Sequence, residues 1–202
     1  HGRGFWILDD ISVLRQWSGS VASSPVTLFK PALATRVRYS MYTDTPVPPD
    51  EPRAENPPDG AVLDYWLAAD AGLVTIEVVN SAGRVVRKYS STDPTPAPAD
   101  AGNAPWYWFR PAVAPSTRAG LQRFVWDLHY SRPTESCSLP ISATPGNTKC
   151  EPEGPWVLPG FYTVRLSVDG VIRSERVEVR MDPRVKTSFA ALRQQHDLSV
   201  AL

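Results

Sequence analysis

Two adjacent carboxylates, Asp9 and Asp10, follow the apolar run 5–8 and are the first residues whose types suit chemistry. Glycoside hydrolysis needs two carboxyl groups about 5–10 Å apart. Neighbouring strand residues point to opposite faces, so this pair is predicted to end a strand or cap a turn. Asp127 is predicted to pair with Arg123 across one face of its strand rather than to act in catalysis.

The histidines are scattered along the chain, at His1, His129 and His196. Zinc takes clustered His or Cys ligands, and the sequence does not cluster them. His129 follows a strand and is predicted to be a structural or surface residue. The sequence contains no Gly-x-Ser-x-Gly nucleophile elbow, and the Gly-x-Gly at 2–4 lacks the rest of a phosphate loop. We therefore expect no catalytic residue, no metal and no cofactor.

The two cysteines, Cys137 and Cys150, flank a stretch of prolines and small polar residues. A disulfide between them is the simplest interpretation, and closing a loop of roughly 15 residues contributes about 3 kcal/mol in the chain-entropy model. Two unpaired thiols are the alternative. A disulfide implies an oxidising compartment, so we expect a periplasmic, cell-surface or secreted protein.

A run of aromatic residues is the one sequence pattern that indicates a ligand-binding site. Trp106, Tyr107 and Trp108 precede Phe109 between a proline-rich loop and Arg110, and Tyr130 and Trp156 are further loop aromatics. Exposed rings of this kind stack on sugars, which makes these five residues a candidate carbohydrate site. The alternative is that at least two of the four consecutive rings close the edge of a β-sandwich or pack on the N-terminal segment.

Composition excludes several classes of protein. The chain has 202 residues, with 21 Lys and Arg against 21 Asp and Glu, whereas a nucleic-acid binder usually carries a basic excess. No apolar run approaches the ~20 residues of a membrane span. Proline is abundant, at 21 residues, which argues against a helical bundle.

Short alternating strands dominate the chain after residue 58. Every second residue is apolar at 61–67, 74–78 and 124–128, as in a half-buried strand, and Asp169-Gly170 is a hairpin signal between two further strands. The pattern predicts an all-β fold, an immunoglobulin- or fibronectin-like β-sandwich with an extended N-terminal segment and a short C-terminal helix. We assign the sandwich to 59–182.

The remaining residues form the other two predicted regions. A proline-rich N-terminal segment spans 1–58, and a helix that begins after Thr187 or Ser188 lies within 183–202. The absence of a stop signal after that helix suggests that the chain is the C-terminal portion of a larger protein. Trp66 lies on the strand face opposite Leu63 and Tyr65 and is predicted to be covered by the N-terminal segment.

The chain also resembles the C-terminal region of bacterial sortilin-like or neuraminidase-repeat β-propeller proteins, which are often labelled glycosyl hydrolases. The matching segments occur in the family's order and span nearly the whole chain: Gly2-Arg3-Gly4-Phe5-Trp6-Ile7-Leu8-Asp9-Asp10, Leu28-Phe29-Lys30-Pro31, Asn56-Pro57-Pro58-Asp59-Gly60, Gly83-Arg84-Val85-Val86, Arg123-Phe124-Val125-Trp126-Asp127, Pro159-Gly160-Phe161-Tyr162 and Asp182-Pro183-Arg184.

This resemblance implies that the first segment is the last strand of a propeller and that the rest is an immunoglobulin-like accessory domain. Propeller sites lie at a central channel that the chain does not include, and the chain lacks the Asp-box pattern, so no hydrolase activity is carried over. We expect a non-catalytic accessory domain whose partner is the upstream propeller of the same protein. A carbohydrate-binding module is the alternative, and we expect neither nucleic acid nor a membrane span.

Overall fold

A computed structural model describes residues 10–38, 46–52, 57–95, 105–131 and 153–201. Eight strands dominate these ranges: β1 Val26–Leu28, β2 Ala34–Arg36, β3 Ala61–Leu67, β4 Val74–Val79, β5 Val85–Ser90, β6 Gly120–Trp126, β7 Gly160–Val168 and β8 Val171–Met181. The helices are short: α1 Ser12–Gln16, α2 Gly19–Ser23, α3 Phe189–Ala201, and a single 3-10 turn at Trp106–Trp108.

The strands form two sheets that pack face to face as an immunoglobulin-like β-sandwich, which confirms the predicted fold class. One sheet has three strands in the order β1-β3-β6, and the other has five in the order β2-β8-β7-β4-β5. All described pairings are antiparallel except that of β2 with β8. The predicted hairpin at Asp169-Gly170 joins β7 to β8, with φ of 47° and 86° at the two turn residues.

The core lies between the sheets, where alternate residues of each strand point inward. Aromatic rings span the middle of this core: Trp126 of β6 lies 5.4 Å from Tyr162 of β7, and Tyr89 of β5 lies 4.6 Å from Phe124 of β6. The Tyr65 hydroxyl donates to the Ser116 carbonyl at 2.7 Å, and burial raises the pKa of Tyr65 to about 12. The two sheets are therefore held together by ring packing.

The N-terminal arm, residues 10–36, is part of the sandwich rather than a linker to it. Its strand β1 forms one edge of the three-stranded sheet, and β2 forms one edge of the five-stranded sheet. The sequence analysis placed the start of the sandwich at residue 59, whereas the structure shows two edge strands before it. Three-residue strands carry too little alternation to be separated from the surrounding proline-rich sequence.

The two short helices of the arm cover the outer face of the three-stranded sheet. Val13, Val21 and Phe29 form a small buried cluster against Trp66, and the Trp17 ring lies 5.1 Å from the Trp66 ring at 90°. The prediction that the N-terminal segment covers Trp66 is therefore confirmed.

The C-terminal helix α3 begins one residue after Ser188. The Ser188 hydroxyl accepts a hydrogen bond from the Ala191 N–H at 3.3 Å, and its carbonyl accepts from Leu192, as an N-cap does. Leu192 is the buried residue of the helix. Among the described residues, no helix is both long enough and apolar enough to span a membrane.

Candidate functional site

One end of the sandwich and helix α3 enclose a pocket of about 220 Å³. The end of β2 contributes Arg36, and the loops that follow β6 and precede β7 contribute His129 and residues 153–156. Helix α3 supplies the opposite wall through Leu192, Gln195, His196 and Ser199. Segments more than 150 residues apart in the sequence therefore meet at this pocket.

Backbone pairing fixes the loops that form the floor of the pocket. His129 and Trp156 form an isolated antiparallel bridge, the Tyr130 N–H donates to Pro155, and the Val157 N–H donates to Leu128. A Cβ atom on Gly154 would collide with the carbonyl oxygens of Tyr130 and Ser131. The close approach of the two loops therefore requires glycine at this position.

His129 is 4 % exposed, and both of its ring nitrogens face acceptors. Nδ1 lies 2.7 Å from the Asp127 carbonyl oxygen, which can only accept, so Nδ1 carries a hydrogen. Nε2 lies 3.1 Å from a Glu153 carboxylate oxygen. The His129 ring therefore joins the Asp127 backbone to the Glu153 side chain.

Asp127, His129 and Glu153 also place ligand-type atoms within 4.8 Å of one another. The sequence analysis predicted no such cluster, because Glu153 is far from the other two along the chain. Tetrahedral zinc ligands at about 2.1 Å from the ion lie roughly 3.4 Å apart, and the His129–Glu153 distance of 3.1 Å is close to that spacing. The Asp127 carboxylate lies 3.9 Å from the other nitrogen, Nδ1. The trio therefore fits a charge network better than a metal site.

Arg36 is deeply buried although it lines the pocket, with 9 % of its surface exposed. Its Nη1 donates to the Val157 carbonyl at 3.2 Å, and its guanidinium lies 5.2 Å from the centre of the Trp156 ring. No described carboxylate forms a salt bridge with it. Burial lowers the pKa of the Arg36 guanidinium, an effect that the nearby Tyr162 opposes. Sequence reasoning missed this residue, because nothing local to β2 signals its burial.

Of the five predicted site aromatics, Trp156 lines this pocket, and Tyr130 contacts a residue that lines it. The Trp156 ring lines it and packs 3.8 Å from the His129 ring. The Tyr130 ring lies 5.2 Å from that of His196, whose Nδ1 is 3.2 Å from Asp197 and whose Nε2 is buried without a partner among the described residues. Trp156 therefore serves as packing between His129 and Arg36.

The other three predicted site residues lie on the 3-10 turn and do not line the pocket. Trp106 is 51 % exposed, Tyr107 and Trp108 are half-buried, and Phe109 is buried. Tyr107 is nearly perpendicular to both neighbouring rings, at 87° to Trp106 and 85° to Trp108. The three consecutive rings therefore do not form one flat platform.

Arg123 does not pair with Asp127, contrary to the sequence-based expectation. It lies directly opposite Asp64 on β3 and binds both oxygens of that carboxylate. The Asp127 carboxylate instead accepts a hydrogen bond from the backbone N–H of His129 at 3.2 Å. The partner of Arg123 depends on the register of two strands almost 60 residues apart, which a single strand cannot reveal.

Asp10 caps the first turn of α1 by accepting the Ser12 N–H at 2.8 Å. Partial burial raises the pKa of Asp10, but the hydrogen bonds from Ser12 and the charge of Arg123 outweigh it, so the pKa is lowered overall. Asp9, Cys137 and Cys150 lie outside the described residues, and so does the predicted disulfide.

Comparison with known proteins does not assign the chain to a family. No protein-family model matches the chain, and no curated protein matches it. Among solved structures, the chain is similar to CopC from Methylosinus trichosporium OB3b, with 12% sequence identity and a TM-score of 0.28 over 65% of this chain and 82% of that one.

Proposed function

We propose that this chain is a non-catalytic accessory domain of a larger extracytoplasmic β-propeller protein, and that it fixes the orientation of the propeller. The sequence resemblance implies that residues 1–11 contain the last propeller strand. The observation that supports an orienting role is that the N-terminal arm is built into the sandwich from Asp10 onward.

Two sets of contacts order the arm internally, and a third ties it to the opposite sheet. The Ser12 N–H bonds to Asp10 at the start of α1. The Gln16 side chain then exchanges two hydrogen bonds with the Lys30 backbone, at 2.8 and 3.0 Å. The Arg173 Nε of the opposite sheet donates to the Val26 carbonyl at 3.1 Å. The arm from Asp10 onward is therefore an ordered part of the sandwich to which a preceding domain could be fixed.

An exposed apolar patch accompanies this connection. Trp17 and Leu121 are 42 % and 44 % exposed and lie close to Trp66, and Leu14 on helix α1 is 57 % exposed. Trp17 contacts the Trp66 ring, and Leu121 is the cross-strand partner of Trp66. Apolar surface grouped in this way is typical of a docking face. Because the chain enters the sandwich beside this patch, the preceding propeller is the partner we assign to it.

Small-angle X-ray scattering tests the proposal on a chain in which the propeller precedes residue 1. We expect one rigid particle, and we expect Trp17→Ser to loosen it. Phe161→Ser is the matched control, because Phe161 is 46 % exposed on the outer face of the other sheet. Scattering typical of two units on a flexible tether, in the unmodified protein, would contradict the proposal.

The location outside the cytoplasm depends on the predicted Cys137–Cys150 disulfide. Intact-mass measurement of the protein purified without reductant tests it. We expect a mass lower by two hydrogens than that of the reduced protein. Two alkylatable thiols in freshly isolated protein would remove this support.

Carbohydrate binding remains the second candidate because Trp106 is the most exposed of the described tryptophans. A single exposed indole can stack on one sugar ring, although its two neighbours do not extend the surface. Affinity electrophoresis against soluble polysaccharides, with Trp106→Ala and Trp108→Ala in parallel, tests this function. Retardation that Trp106→Ala abolishes would support it, and no retardation by any glycan would reject it.

A further inference from the structure

Arg36 has hydrogen-bonding capacity that the described protein does not use. One Nη1 hydrogen is donated to Val157, and no described residue accepts from Nε or Nη2. Arg36 lines the pocket, so a small molecule in the pocket can reach its guanidinium. A buried guanidinium is costly without a negative partner, and here the pocket gives a partner access.

The same chain shows what this edge of an arginine binds. Arg123 uses Nε and Nη2 to hold both oxygens of Asp64, at 2.8 and 3.0 Å. A planar carboxylate matches the two parallel N–H groups of that edge. For Arg36, the contacts with Val157 and Trp156 already fix the plane of the guanidinium. The group is therefore oriented before any ligand arrives.

The remaining charges of the pocket permit an anion there. Glu153 would repel one, but its carboxylate faces the His129 ring at 3.1 Å. Asp197 on α3 is 63 % exposed and lies against His196 and Arg193. The polar side chains of Gln195 and Ser199 lie on the opposite wall and can bond to the rest of a small ligand.

We propose that the pocket beneath α3 binds a small organic carboxylate, held in bidentate fashion by the Nε and Nη2 atoms of Arg36. The ligand lies between the end of β2 and the face of α3 that carries Gln195 and Ser199. This site is independent of the proposed propeller-docking patch, which lies on the outer face of the three-stranded sheet.

Isothermal titration calorimetry on the full chain tests the proposal with glucuronate, glucose, N-acetylglycine and inorganic sulfate as probes. We expect glucuronate to bind and neutral glucose not to bind. N-acetylglycine distinguishes the source of the carboxylate: if it binds as well, the carboxylate alone is recognised, and if it does not, the sugar ring contributes. Equal binding of glucose and glucuronate, binding of sulfate alone, or no binding by either carboxylate would overturn the proposal.

Two pairs of variants locate the binding. Arg36→Gln is expected to weaken glucuronate binding about tenfold or more, since a hydrogen bond to a charged group contributes about 1.5–3 kcal/mol. Arg38→Gln makes the same charge change at an exposed position and is expected to leave affinity unchanged.

If Arg36→Gln does not fold, Ser199→Trp blocks the pocket from an exposed helix position, with the exposed Gln194→Trp as its control. Affinity that is the same in Ser199→Trp and Gln194→Trp would show that glucuronate binds elsewhere and would overturn the assignment.

Discussion

Arg123 and Asp64 face each other across β6 and β3, and the guanidinium binds both carboxylate oxygens at 2.8 and 3.0 Å. The Asp64 side chain is only 6% exposed, whereas that of Arg123 is 37% exposed. Hydrogen bonding to Asp64 raises the pKa of Arg123, although burial opposes it. The pair is therefore a buried anion held by a cation that reaches it from the solvent side.

Replacing Arg123 with Met should destabilise the protein by about 2 kcal/mol, because it leaves the Asp64 carboxylate buried and unpaired. Urea unfolding followed by circular dichroism measures the loss. The exposed pair Lys88–Glu77 provides the control, and Lys88→Met should cost less than about 1 kcal/mol. Equal losses for both variants would contradict the burial argument.

The contact of Trp17 with Trp66 and Phe29 predicts how firmly the N-terminal arm is held. Trp17→Ala should free α1 and accelerate trypsin cleavage after the exposed Arg15. Phe161→Ala, on the other sheet, should not change that cleavage. Timed digestion with mass spectrometry measures both rates, and the idea fails if Trp17→Ala is cut no faster than the parent chain.

The hairpin glycine Gly170 allows a test of backbone strain without steric interference. Its φ is 86°, and a Cβ atom there would meet nothing within 4 Å. Gly170→Ala should therefore cost about 1–2 kcal/mol through strain alone. Gly19 in α2 is also surrounded by open space but does not have a positive φ, so Gly19→Ala should be neutral or stabilise by up to about 1 kcal/mol. Thermal unfolding of both variants shows whether the backbone φ, rather than the free space around the Cβ atom, decides if alanine destabilises or stabilises the protein.

Acid sensitivity should depend on Asp182, which accepts hydrogen bonds from the Arg184 side chain and backbone. These bonds lower the pKa of Asp182 from 3.8 to about 2. Because the folded-state pKa is the lower one, the stabilisation is complete above about pH 4 and is lost as the pH falls towards 2. Asp182→Asn should flatten the pH dependence of the urea midpoint in that window. If the urea midpoint of Asp182→Asn falls with pH as steeply as that of the parent protein, Asp182 does not cause the acid sensitivity.

Local sequence patterns were sufficient to predict much of the fold. The alternation at 61–67 and 74–78, the Asp169-Gly170 turn and a helix cap at Thr187 or Ser188 each depend on residues close in sequence, and the structure has the two strands, the turn and a cap at Ser188. The short edge strands β1 and β2 were not recognisable as part of the sandwich, because three residues carry almost no period.

The pocket could not be predicted from local sequence patterns, because its residues come from distant parts of the chain. Tyr130 and Trp156 were chosen as exposed loop aromatics, but their surroundings include His129, Arg36 and His196 from distant segments. The burial of Arg36 arises from β8, the loop before β7 and α3, which lie more than 115 residues further along the chain. Only the assembled tertiary structure brings these groups together.

The N-terminal arm supplies an outer strand to each of the two sheets as it passes from β1 to β2. A single stretch, 26–36, therefore covers the backbone groups of both β3 and the end of β8. Open strand edges recruit other chains. Displacing this one stretch would uncover two sites of intermolecular pairing at once, so a chain shortened to begin after residue 37 should form oligomers that size-exclusion chromatography detects.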